Sequence, residues 1–459
     1  MTAIITDKLK KQFLSTLLQN VTDSGYYIGI GKSDLWNDSD IVPNPLATGQ
    51  EERNARYNLQ SIKNVLDFSF VSPRFDWSFG AIYSPWNDGV SGHPINSYYV
   101  LTDENQLYIC LQQAKTAEGV GSPSTVKPTG TLTTPFKTSD GYIWKFLFSI
   151  GALNASKFLA GNFLPTRTVD STDSASPAAD IEQQGIQNAA IPKQIIGFEV
   201  TNGGTGYTTT PNVTITGNGT GSRAVATING GAVTKIELLE SAGSIVIGSG
   251  YDFASVAIDA APTGNTNATA RPIFGPVAGF GKDPRDDLRS TAAMLNSKPT
   301  GAEAGKFVIT NDFRQVVLFK NPTVDSAGGA KYSQQTGMVL RRLPLQSITT
   351  AFTVGNTISG STTGAKAIID DLDSAGSPGL IFHQNEDTGF TQFAEGEQVT
   401  ETNGNGDGVL VAANVDADAD AFIIGDVTQY GGEILYVDNR AAIQRSADQT
   451  EDIKVVIQL

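Results

Sequence analysis

The chain is predicted to be α+β and predominantly β, and three features of its sequence point that way. Its 48 Gly and 20 Pro, set among many Thr, Ser and Asn, favour short strands joined by tight turns over long helices. Apolar and polar residues alternate in many short runs, which is the period of a strand with one buried face. The one stretch that reads as a helix lies at the N-terminus. With 39% hydrophobic residues, the 459-residue chain can build packed cores, and it exceeds the size at which a single core keeps growing, so about two to four domains are expected.

Residues 1–71 open with TDKLKKQFLSTLLQNV, where Leu9, Phe13, Leu17 and Val21 recur at helical spacing and Thr6 or Asp7 can cap the first turn. Lys and Gln interrupt this run too often for a signal or membrane segment. A strand at Tyr26–Gly31 follows, then a polar loop rich in aromatics, then a strand near Val65–Val71. Residues 72–193 form a second, β-rich segment, with a hairpin from Tyr98–Leu101 to Leu107–Leu111 turning at Asp103, Glu104 and Asn105. Cys110 lies on that hairpin and reads as a core thiol, since one cysteine cannot make an internal disulfide. Thr116–Thr134, dense in Gly, Pro, Ser and Thr, is expected to be a long exposed loop.

Residues 194–275 contain an internal repeat. GGTGY ends at Tyr207 and GSGY ends at Tyr251, and each copy continues with an alternating strand (Val213–Ile215, Val256–Ile258) and an Ala/Thr-rich strand (Ala224–Thr227, Ala268–Ala270). Neither copy can bury its apolar face alone, so the two are expected to stack as a small inserted β module. Residues 276–330 return to the main body. Residues 331–425 carry FTVGNTISGSTTGAKAIIDD, GLIFHQN, GFTQFAEGEQVT and GVLVAANV, a pattern that predicts a second small inserted module, a β-roll or SH3-sized barrel with strands at Phe352–Ile358 and Ala365–Ile369. Residues 426–459 read as strand (Ile434–Val437), turn (Asp438, Asn439) and closing strand (Ile453–Ile457). A terminus this apolar must be tied into a sheet.

The formal charge is −15 and no basic block interrupts it, which removes the phosphate-neutralising surface that nucleic-acid binding needs. Catalytic patterns are missing too. His93 and His383 lack a nucleophile elbow and read as turn or surface residues. DADAD at Asp416–Asp420 resembles the start of a calcium loop, but Ala421 and Val427 stand where the turn Gly and the bidentate Glu belong, so a solvated acidic loop is expected. GNGTG at Gly217 reads as a turn rather than a phosphate cradle. Asp286–Asp287 and Asp370–Asp371 read as solvated pairs, because neighbours on a strand point to opposite faces and cannot form a two-sided acid/base site. No catalytic residue, metal or cofactor is therefore predicted. Trp36, Trp77, Trp86 and Trp144 either plug local cores or anchor interfaces, and Trp36 and Trp86, flanked by Asn, Asp and Pro, are the better interface candidates.

The C-terminal GGEILYVDNRAAIQRSADQTEDIKVVIQL closely resembles the C-terminus of the baseplate wedge protein of T4-like contractile-tailed phages, the gene product 8 family. IGIGKSDLWND near Ile28, SPRFDW at Ser72, DGYIWKFLFSI at Asp140 and NDFRQVVLFKNP at Asn311 resemble it in the same order. The resemblance covers about half the chain and misses the two inserted modules. It implies a discontinuous α/β wedge domain built from both chain ends, a β-rich second domain, a homodimer within each wedge, and neighbours known as gene products 7, 10 and 6. It implies assembly in a bacterial cytoplasm into the virion baseplate, which switches shape on host contact. The residues that carry it, as fold or interface positions, are Trp36, Arg74, Asp76, Trp77, Tyr142, Trp144, Phe313, Arg314, Tyr436, Asn439, Arg440, Gln449 and Glu451, with Trp86 as a further interface candidate. Arg314 and Arg440 are expected to tie strand ends through bidentate carboxylate pairs. The expected function is thus a non-enzymatic structural subunit; a receptor- or glycan-binding decoration protein, or a polysaccharide-degrading tail enzyme, is the alternative.

Overall fold

Alternation in the sequence is realised as short strands, and the protein is predominantly β with several antiparallel sheets. The computed structural model describes residues 3–23, 25–93, 96–169, 178–241, 244–325, 329–373, 378–410 and 422–459. Two units emerge, one from Met1–Ser15, Ser69–Met294 and Val456–Leu459, the other from Thr16–Phe68 and Leu295–Val455. Neither unit is continuous in sequence.

In the second unit, five strands pair antiparallel in the order Thr336–Met338, Leu59–Asn64, Tyr26–Gly31, Asp312–Lys320 and Glu433–Gln444. Gly31 lies at a bulge where a Cβ would stand 2.1 Å from the Asn58 carbonyl oxygen, so no other residue fits there. Tyr27, Leu59, Ile62, Val317 and Phe319 pack with Ala55 into this unit's sheet core. Residues 32–64 are more structured than a polar loop: they hold the helix Gly49–Tyr57 and the strand Leu59–Asn64. Thr48 caps that helix by accepting the Glu51 N–H at 3.2 Å. Only Ala55 of its residues is buried, so no apolar stripe announces it.

The expected turn at Asp438–Asn439 is absent as well. Glu433–Gln444 is one strand, because Asp438 and Asn439 pair with Val316 and Gln315 and the Asn439 amide oxygen accepts the Gln315 side-chain N–H at 2.8 Å. Cross-strand pairing here overrides local turn preference. The second inserted module closes into a six-stranded barrel, in the order Arg341–Thr350, Gly379–His383, Lys366–Asp373, Thr357–Gly360, Gln398–Glu401 and Asp407–Leu410. Leu343, Ile358, Ile369, Leu380, Phe382 and Val399 fill it. Phe352 joins that core from outside any strand, so the strand expected over Phe352–Ile358 begins only at Thr357.

In the first unit, a sheet in the order Tyr99–Leu101, Gln106–Gln112, Ile143–Ser149 and Phe136–Lys137 is covered on both faces. Trp86, Tyr99, Leu107 and Ile109 pack on one side, and Tyr83, Tyr108, Cys110, Trp144 and Phe146 on the other. The Tyr99 and Gln106 strands form the expected hairpin, with Asn105 at φ 57° in its turn. The repeat module is intertwined. The central strands Val213–Gly217 and Ala254–Ile258 pair with each other, the first strand of copy one (Ile195–Asn202) pairs with the last of copy two (Thr269–Phe274), and the first of copy two (Ala232–Leu238) pairs with the last of copy one (Ala224–Asn229). Each copy completes the other, and Tyr207 and Tyr251 share one core.

The N-terminal helix, Asp7–Asp23, buries Leu14, Leu18 and Val21 while Leu9 and Phe13 stay 40% and 54% exposed. Of the i, i+4 set Leu9, Phe13, Leu17 and Val21, the first two are uncovered, Leu17 is half-buried and Val21 is buried, so the set only partly coincides with the covered stripe.

Candidate interaction surface

Trp36, Arg314, Asn439 and Arg440, four resemblance residues of the second unit, converge on one loop and one sheet edge. The chain leaves the Tyr26–Gly31 strand into residues 32–48, and Arg314 on the neighbouring strand fastens this loop. Its Nε–H donates to both Asp40 carboxylate oxygens, at 3.0 and 3.1 Å, and its Nη1–H to the Ser33 carbonyl at 2.5 Å. Arg314 is 4% exposed, which makes this a buried, multiply bonded guanidinium rather than a surface pair. The Trp36 N–H bonded to Asp40, together with Arg314, holds the Asp40 carboxyl below its usual range.

Trp36 Nε1–H donates to the Arg440 carbonyl at 2.9 Å, and the Asn439 amide donates to the Pro43 carbonyl at 3.1 Å. Loop and edge strand are thereby stitched together. Lys32 lies 5.6 Å from the centre of the Trp36 ring and pairs with Asp34 at 2.5 Å. Beyond the stitched region, residues 45–52 and Ile434–Val437 flank an open groove of about 510 Å³. Leu35, Ile41, Val42, Leu46, Tyr430 and Leu435 are large apolar side chains left exposed in this unit, Leu46 at 64% and Leu435 at 47%. Glu51 and Glu52 line the same groove, so it is apolar in part and acidic in part.

Arg440 does not tie strand ends. It is half-exposed and bonds Asp438, two residues away on its own strand face, at 2.8 Å. The strand-end tie belongs instead to Arg445, which is 3% exposed and bonds both Glu451 oxygens, at 2.9 and 3.0 Å, as well as the Val308 and Gly301 carbonyls. Gln449 buttresses it by donating to Glu451 at 3.1 Å. Phe313 is buried in the sheet and Tyr436 is half-buried on the edge strand. Nothing in RSADQTED distinguishes Arg445 from a residue of an ordinary polar turn.

The remaining candidates lie in the first unit and hold its fold. Trp144 is fully buried and stacks on Tyr142 at 5.5 Å, while the Tyr142 hydroxyl donates to the Ser122 carbonyl at 2.6 Å. Trp77 Nε1–H reaches the Ser124 hydroxyl at 3.2 Å, and Arg74 pairs with Asp76 at 2.8 Å while reaching the Ala160 carbonyl. Trp86 is not free to anchor a partner. It is 7% exposed, meets Tyr98 and Phe280 edge-on, and donates to the Phe274 carbonyl at 3.0 Å.

Three further sequence readings change. His383 is 4% exposed and faces Asp370, itself fully buried, while Asp287 is buried with one oxygen accepting the Gly281 N–H at 2.7 Å. These carboxylates are not solvated; the strand neighbour Asp371 takes the opposite, outward face, and the helix neighbour Asp286 is the more exposed of its pair. His93 is half-buried, stacked on Tyr98, with Nε2 2.9 Å from the Leu288 carbonyl. Asp416–Asp420 lie outside the described residues. Among the described residues no cluster of three or more His, Cys, Asp or Glu side chains is arranged to hold a metal, and no helix is long and apolar enough to cross a membrane.

No protein-family model matches the chain, and no curated protein matches it.

Proposed function

We propose that this protein is a structural subunit of the baseplate wedge of a contractile phage tail, working through protein–protein contacts in tail assembly and in the rearrangement triggered by the host. The observation that carries this reading is the meeting of three of the five resemblance segments, near Ile28, Asn311 and Gly431, in one antiparallel sheet whose last strand is a long edge. Segments far apart in sequence share a sheet, with the exposed side chains of Leu46 and Leu435 at the groove along its edge strand. That is the arrangement an assembly subunit needs, since permanent contacts spread modest contributions over more than about a thousand Å².

In this reading the five-stranded sheet with its helix is the discontinuous wedge domain, residues 72–193 form its β-rich companion, and the intertwined module and the barrel are insertions. Its partners are a second copy and the wedge proteins known as gene products 7, 10 and 6, its place is the virion baseplate, and its role needs no catalytic group or cofactor. Reconstruction of the intact tail tip by electron cryomicroscopy tests it. The chain is expected in every wedge, with Leu46 and Leu435 covered by a neighbour; a mature particle lacking the polypeptide would refute the proposal.

A further inference from the structure

One buried polar cluster lies where the barrel meets the five-stranded sheet, beside the Thr310–Asp371 bond and the Tyr57–Phe390 ring contact. His383 stands on the barrel strand Gly379–His383 and Asp370 on the adjacent strand Lys366–Asp373, paired across the barrel wall. His383 Nδ1 lies 2.6 Å from one Asp370 oxygen. The other Asp370 oxygen accepts the Ser33 hydroxyl at 2.6 Å and the Gln60 amide at 3.1 Å, both from the sheet side of the junction. Asn311, at the start of the central Asp312–Lys320 strand, adds a bond to the Asp370 carbonyl at 3.4 Å. Asp370 is fully buried, so its charge is held by these donors alone.

The opposite imidazole nitrogen is the anomaly. His383 Nε2 faces an Asp34 carboxylate oxygen at 3.9 Å, and both atoms are buried without a hydrogen-bond partner. A neutral imidazole with its proton on Nδ1 would set a lone pair against a carboxylate, leaving two acceptors to repel each other. A proton on Nε2 turns the same geometry into an ion pair. With both carboxylates ionised the charges close in that state: His383 and Lys32 are balanced by Asp370 and Asp34, with Lys32 bonded to Asp34 at 2.5 Å. The other charged groups nearby are already engaged, Arg314 with Asp40 and the Ser33 carbonyl, and Asp371 with Thr310.

We propose that His383 is a proton-dependent latch, which fastens the barrel to the sheet when both ring nitrogens carry a proton and lets the two part when Nε2 loses its proton. Burial alone would push this imidazole down, but the charge and hydrogen bond of Asp370, with Asp34 beyond, outweigh it and hold the group above its ordinary 6.5. The sign follows from linkage. The folded junction binds the proton more tightly than the opened one, so the latch is whole below about pH 6.5 and is lost as pH rises through the folded value. This inference does not rest on the assembly role, and it is measurable on the isolated chain.

The chain contains only two histidines, so ¹³C labelling of the ring Cε1 gives two signals, assigned with a His93→Gln variant. His93 is expected to be neutral at pH 6.5, since burial pushes it down, while His383 is still charged. Hydrogen exchange of the amides in Lys366–Asp373 and Gly379–His383, corrected for intrinsic rates, reports opening of the junction. It should rise by up to about tenfold per pH unit above 6.5 and level off beyond the His383 midpoint. Asp34→Asn, which keeps the Asp370 pair, should lower that midpoint and flatten the exchange profile; His383→Gln should abolish the pH dependence. An imidazole already neutral at pH 6.5, or wild-type exchange flat across the midpoint, overturns the proposal.

Discussion

Arg440 and Arg445 lie five residues apart and show how little residue type says without burial. Arg440 is half-exposed and pairs only with Asp438 on its own strand, so Arg440→Lys is expected to cost at most about 1 kcal/mol. Arg445 is buried against Glu451, two carbonyls and the Phe307 ring, so Arg445→Ala strands a buried carboxylate and is expected to cost about 3–5 kcal/mol. Chemical denaturation of the two variants checks the contrast; equal midpoints would refute it. Cys110 follows the same logic in the opposite sense. It is fully buried and free, and burial pushes its thiol well above the ordinary range, so it should resist a thiol reagent in the native protein and react only on unfolding. Labelling at native and denaturing conditions, read by mass, decides the point.

Elements were legible where local pattern and burial agree. The Tyr99 hairpin and the strand Tyr26–Gly31 are short apolar runs buried along their length, and the barrel and repeat strands alternate between turn residues; strands form in all four, although the one expected over Phe352–Ile358 starts only at Thr357. The helix Gly49–Tyr57 and the unbroken Glu433–Gln444 strand were hidden for the reverse reason, since one has no apolar face and the other carries a turn-like Asp-Asn overruled by its partner strand. The same limit applies to the loop stitched by Trp36, Arg314 and Asn439: those residues stood out in sequence, but their convergence on Asp40, Pro43 and the Arg440 carbonyl exists only in three dimensions. The intertwined module offers a test within one element. The Tyr207 hydroxyl accepts the buried Ala268 N–H at 2.9 Å and donates to the Asp259 carbonyl at 3.1 Å, whereas the Tyr251 hydroxyl accepts one weaker bond from the Ser222 N–H at 3.4 Å. Tyr207→Phe should therefore cost about 1–3 kcal/mol and Tyr251→Phe distinctly less, as read by thermal unfolding. Equal losses would mean that the two copies are energetically as well as topologically equivalent.

At the scale of the whole molecule, the proposed role predicts a separation between folding and assembly. Leu46 and Leu435 are largely exposed and flank or line the acidic, partly apolar groove, so they contribute little to the fold of the isolated chain. Replacing both by Glu should shift stability by less than about 0.5 kcal/mol each, the usual range for surface positions away from caps and buried networks. The same pair of charges placed at the centre of a covered contact would be desolvated without partners, which interfaces tolerate poorly. If the groove is a subunit contact, the double variant folds normally yet fails to enter tail particles in a complementation experiment. Incorporation at the wild-type level, with the melting temperature unchanged, would exclude this edge as the assembly surface and move the search to the exposed stripe of Leu9 and Phe13 on the N-terminal helix.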